Sequence, residues 1–95
     1  MHYVRIYWLN REDDEAEIQY SELDELRFEC RKIELYPDGS FGIANSNFNF
    51  GGTALSVEPV PQPKDLNHNS QLVAEDLSQE EFEMVWYKYY NFLSA

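Results

Sequence analysis

Ninety-five residues hold one domain with one core, and this chain sets 18 acidic residues against 7 basic ones for a formal net charge of −11. Such a field repels nucleic acid and anionic membrane and attracts basic surfaces, which argues against a nucleic-acid-binding or membrane-surface protein. The single cysteine, Cys30, rules out an internal disulfide framework.

The chain begins on a strand pattern, with Val4, Ile6 and Trp8 on one face of Tyr3 to Leu9 and Tyr3, Arg5, Tyr7 and Leu9 on the other. No basic n-region with an apolar h-region precedes it, and no apolar run reaches the roughly 18 residues of a membrane span. A complete small protein in a reducing cytoplasm is the expectation. Asn10 to Ala16 lacks apolar periodicity and reads as a solvated loop. Ile18 and Tyr20 open a second strand that ends near Leu23-Asp24. Leu26 to Tyr36 is the longest strand candidate, but its apolar residues change parity between Cys30 and Ile33, so a β-bulge is expected near Arg31-Lys32.

Pro37-Asp38-Gly39 is a turn, because proline presets the first central position and glycine takes the left-handed one. Ser40 to Ala44 then pairs back, with Phe41 and Ile43 toward the core. Asn45 to Phe50 alternates Asn with Ser and Phe and predicts a strand broken by Gly51-Gly52, followed by a short edge strand over Ala54 to Val57. Three prolines between Glu58 and Pro63 remove backbone donors and predict an extended connector. Ser78-Gln79-Glu80-Glu81 has the form of a capping box, with Leu77 and Phe82 as its staple. Phe82, Val85, Trp86, Tyr89 and Leu93 follow on one helix face. The expected fold is α+β in a single domain, residues 1–95: an antiparallel β-sheet of four or five strands with a C-terminal helix, Ser78 to Leu93, packed on one face.

Catalytic and metal signatures are weak. His2 and His68 are far apart in sequence and share no ligand spacing with Cys30, so surface histidines and a small apolar cysteine are the expected roles. The acidic run from Glu12 lacks the alternation, the central glycine and the closing Glu of a calcium loop. Gly51-Gly52-Thr53 lacks the lysine of a phosphate loop, and tight backbone packing is the expected role. No catalytic residue, cofactor or metal is therefore assigned. Eight of the 18 acidic residues fall between Glu12 and Glu25. Carboxylates at that density suit the Arg and Lys side chains of a partner through charge-assisted hydrogen bonds that speed encounter.

Three stretches, Arg31 to Gly39, Gly51 to Pro61 and Glu80 to Trp86, resemble in order and spacing a family of small bacterial domains known as a domain of unknown function, from about Tyr3 to Lys88. Asn45 to Phe50 and Cys30 are local departures. The resemblance implies kinship to immunity proteins of bacterial toxin systems, small acidic proteins that neutralise a toxin, and carries over no site residues. The resulting expectation is a non-enzymatic protein that blocks the surface of a basic, nuclease-type toxin through Glu12, Asp13, Asp14, Glu15, Glu22, Asp24 and Glu25. The alternative is a small enzyme or ligand-binding domain with a pocket near Arg31 and Gly51-Gly52.

Overall fold

Alternation along the first strand sorts the molecule into two cores, one on each face of a single sheet, where the chain length predicts one. The computed structural model describes residues 1–9, 12 and 14–94. Along the chain it places β1 (His2–Trp8), β2 (Ile18–Leu23), β3 (Glu29–Leu35), β4 (Phe41–Asn45), β5 (Asn49–Phe50), α1 (Pro63–Leu66), β6 (Leu72–Asp76) and α2 (Gln79–Ser94). Among the described residues the sheet has six strands in the order β5-β4-β3-β2-β1-β6, each pair antiparallel. The α+β class agrees with the sequence, and the strand count exceeds the four or five expected.

Tyr3 of β1, Tyr20 of β2, Ile33 of β3 and Ile43 of β4 form one buried face, which Phe82 and Trp86 of α2 cover. Val4, Ile6, Leu23, Leu72 and Ala74 form the other, closed by Val60 from the proline-rich connector and by Leu66 of α1. The connector therefore covers the face that α2 leaves open. Arg27 takes a left-handed backbone, φ 69°, and its guanidinium donates to the carbonyls of Val60 at 2.7 Å and Pro61 at 3.1 Å. Further along, Ser56 N–H donates to the buried Glu29 carboxylate at 2.6 Å, and Lys32 pairs with the same carboxylate at 3.3 Å. Thr53 packs where Gly42 has no side chain, since a Cβ on Gly42 would collide with Thr53 Oγ1. At Gly51, φ 73°, a Cβ would lie 2.5 Å from the Phe41 carbonyl oxygen, so Gly51 and Thr53 serve close packing, whereas a Cβ on Gly52 would meet nothing within 4 Å and its φ of 81° is what favours glycine there.

Helix α2 starts as its sequence dictates. Ser78 Oγ accepts the Glu81 N–H at 3.1 Å, and Glu81 Oε1 reaches back to Ser78 N at 3.4 Å. Ser78→Ala should destabilise the fold by about 1 kcal/mol, with Ser78→Asp close to neutral; superposing urea unfolding curves for wild type and Ser78→Ala would remove the cap from this account.

Three expectations are corrected, and the bulge expected near Arg31-Lys32 is found one residue earlier. Strand β3 starts at Glu29 rather than Leu26. Asp24 Oδ1 accepts the N–H groups of both Leu26 and Phe28 at 2.9 Å, making a turn that leaves those two apolar side chains exposed. The expected bulge is present at Cys30: Glu22 pairs with Arg31 but Leu23 pairs with Glu29, so Cys30 is the extra residue. Asn45 to Phe50 is a hairpin rather than a continuous strand, because Asn45 Oδ1 accepts the N–H groups of Asn47 and Phe48, an asparagine turn that competes with strand pairing. Ala54 to Val57 pairs with no strand among the described residues, and the sheet ends in β5 on one side and in β6 on the other. There Asn67 both donates to Ala74 O at 2.8 Å and accepts Ala74 N–H at 2.7 Å, occupying an outward-facing position on that edge.

Candidate functional site

Strand β2 divides the acidic stretch that the sequence presents as one run. Its six residues separate the two ends by roughly 17–20 Å at the rise of an extended chain. Glu12, Asp14 and Glu15 lie exposed in the β1–β2 loop, where Glu15 Oε1 accepts Glu12 N–H at 2.8 Å. Asp13 lies outside the described residues. Asp24 and Glu25 belong to the opposite end. Asp24 holds the β2–β3 turn, and Glu25 accepts the N-terminal amine at 3.0 Å and lies 3.4 Å from His2 Nε2; the bond from the amine sets its carboxyl below the usual carboxylate range.

Glu22 is not a surface residue. It is 7% exposed, and Arg31 grips both of its oxygens, Nε to Oε1 at 2.8 Å and Nη2 to Oε2 at 2.7 Å. Hydrogen bonding from Arg31 holds the Glu22 carboxyl below its ordinary value. The sequence expectation that Glu22 faces a partner is corrected on that ground: the register places it inward on the face that α2 covers.

Strands β3 and β4 bring other carboxylates to the loop end. A cleft of about 340 Å³ is lined by Asp14 together with Tyr36, Asp38, Ser40 and Gly51. Asp38 Oδ1 accepts both the N–H of Ser40 at 2.9 Å and its hydroxyl at 2.6 Å, and these bonds keep its carboxyl low and charged. A second cleft, of about 180 Å³, is lined by Trp8, Glu15, Ala16, Gln19 and Glu34. Glu34 and Asp38 escaped the sequence reading because they join the patch only through the β3–β4 hairpin. Their one signal was that hairpin, whose Pro-Asp-Gly turn points toward the β1–β2 loop end once antiparallel pairing is accepted.

Cations are held elsewhere. Arg5 pairs with Glu75, Arg31 with Glu22 and Glu83, and Lys32 with Glu29. Among the described residues, no cation forms an ion pair with Glu12, Asp14, Glu15, Glu34 or Asp38. Residues 41–57 and 84–94 carry a single charged side chain, Lys88, and Phe48, Tyr90, Leu93 and Ser94 line a cleft of about 230 Å³. The pocket conceived around Arg31 and Gly51-Gly52 is not assembled: Arg31 pairs with Asn45 at one end of β4, while Gly51 packs on Phe41 and Gly42 at the other. Cys30 is half-buried at the bulge, and burial, with Asp24 and Glu22 nearby, pushes its thiol up.

Fold and site together define an α+β domain with two covered sheet faces and an acidic loop end whose carboxylates pair with no cation among the described residues. The chain belongs to the family described as a domain of unknown function, DUF6881, whose model matches residues 2–91. No curated protein matches the chain, and no solved structure does. Among the described residues no helix is long and apolar enough to cross a membrane.

Proposed function

We propose that this domain is a non-enzymatic binding protein that docks its acidic loop end on a basic protein surface, as an immunity protein or inhibitor that covers the active surface of a nuclease-type toxin in the bacterial cytoplasm. The observation that carries the reading is the segregation of charge: cations neutralise carboxylates within the sheet and under α2, while, among the described residues, Glu12, Asp14, Glu15, Glu34 and Asp38 are left without one. Solubility alone asks for dispersed charge, whereas a concentrated patch of one sign steers a partner of the opposite sign and fixes its orientation. A nuclease holds phosphates in a basic groove, and an acidic domain competes for that groove. The resemblance to immunity proteins supplies the class of partner.

The test is a pull-down from the source cells with wild type and with the triple variant Asp14→Lys, Glu15→Lys, Asp38→Lys. These side chains are exposed, so the fold should survive the change, which a thermal melt of the variant checks. Wild type should retain a basic protein that the variant loses. Retention of that protein by both forms at equal yield would place the interface elsewhere.

A further inference from the structure

Gln19 lines the 180 Å³ cleft and is 9% exposed. Its amide nitrogen is turned inward, donating to Ser21 Oγ at 3.1 Å and to Glu29 Oε2 at 3.3 Å. That orientation sends the carboxamide oxygen the other way, and among the described residues it accepts no hydrogen bond. An acceptor left open on a side chain as buried as that of Gln19 is uncommon and asks for a donor. The residues around it show which kind. Gln19 pairs with Glu34 across β2–β3 and with Ile6 across β1–β2, so Trp8, two residues beyond Ile6, stands on the same sheet face. Glu15 and Ala16 close the cleft from the loop. Glu34 uses one oxygen on Thr53 at 2.7 Å and Glu15 one on Glu12 N–H, and each keeps further acceptor capacity.

We infer that this cleft receives a guanidinium group, the head of an arginine side chain from the partner. The inference deepens the reading of the loop end as a contact for a basic protein and rests on it. Two carboxylates and an amide oxygen present acceptors without a competing cation among the described residues, and a guanidinium carries five donors in one plane. The Trp8 ring supplies an aromatic wall on which that plane stacks, a contact worth more to guanidinium than to ammonium. Gln19, Glu34 and Trp8 sit on paired strands, so the acceptors are held in place before binding.

The test uses ethylguanidinium chloride as probe, followed by nitrogen-15 NMR of the intact chain at low ionic strength. Saturable shifts should localise to the Trp8 indole N–H, the Gln19 side-chain amide and Ala16, with ethylammonium binding more weakly. Glu34→Gln, which keeps an acceptor for Thr53, should weaken the probe about tenfold, the loss of one charge-assisted hydrogen bond, and Glu25→Gln at the far end should change nothing. Non-saturating shifts spread over all exposed carboxylates, equal affinity for the two probes, or an unaltered Glu34→Gln titration would each overturn the inference. Failure here is separable from failure of the wider reading. A domain that ignores the probe yet loses its partner on charge reversal keeps the docking surface without the arginine receptor. Probe binding with an unchanged partner yield refutes the docking surface instead.

Discussion

Truncating Trp86 to alanine should cost the fold about 3–5 kcal/mol, as large aromatic-to-alanine changes in cores do, out of a total that for a domain of this size is about 5–15 kcal/mol. The ring is 4% exposed. It stacks between Phe82, at 6.4 Å, and Tyr90, at 6.0 Å, and the Arg31 guanidinium lies 5.0 Å from its centroid. Removing it opens the layer between α2 and the sheet where neither the strands nor the capped helix can move to fill the gap. Urea unfolding at neutral pH measures the loss, and a change below about 1 kcal/mol would mean that α2 does not cover the sheet as described.

Arg31→Met should be comparably severe, about 3–5 kcal/mol, because it leaves the Glu22 carboxylate buried without its cation. Arg31 also bonds Glu83 and lies 4.9 Å over the Phe82 ring, so it ties α2 to β2 and β3 at once. The pairs with Glu22 and Glu83 hold it more firmly protonated than a free arginine. The pH dependence follows from Glu22. Its pKa is lower folded than its ordinary 4.5, so its contribution is fully present above about 4.5 and is lost as pH falls through the lower folded value. The stability gap between wild type and Arg31→Met should therefore be widest near neutral pH and narrow below about pH 4.5, as Glu22 becomes protonated in both. A gap constant down to strongly acidic pH would show that the ion pair is not what Arg31 contributes. Adding Glu22→Gln to Arg31→Met should recover part of the loss, since the stranded charge is gone.

Features carried by local chemistry were legible in the sequence. Alternation from Tyr3 to Trp8 set both faces of β1, the Ser78-Glu81 box fixed the start of α2, and the parity break after Cys30 announced the bulge. Elements that depend on side chains competing with the backbone were not. Asn45 and Asp24 each capture two N–H groups and turn the chain where apolar alternation suggested that it would continue. Strand β6 escaped because only Leu72 and Ala74 of its five residues face the core, a pattern too short to stand out beside Asn-rich flanks. For Glu22, Asp24 and Glu25 the difficulty is the opposite: closeness in sequence to Glu12 is not closeness in space. A single strand carries Glu12 to one end of the molecule and Glu25 to the other, and parity turns Glu22 inward. Glu34, Asp38 and Gln19 reach the loop end by strand register, which no linear pattern of charge reveals.

The docking surface is tested most directly by the association rate with the basic partner, measured by stopped flow from low to physiological salt and beyond. Wild type should associate fastest at low salt and slow progressively as screening shortens to about 8–10 Å. The Asp14→Lys, Glu15→Lys, Asp38→Lys variant should associate at least about tenfold more slowly at low salt, with the difference shrinking as salt rises, because exposed charges act mainly on the rate of encounter. Equal rates for the two proteins across the whole salt series would contradict the account and leave the acidic loop end as a solvated surface.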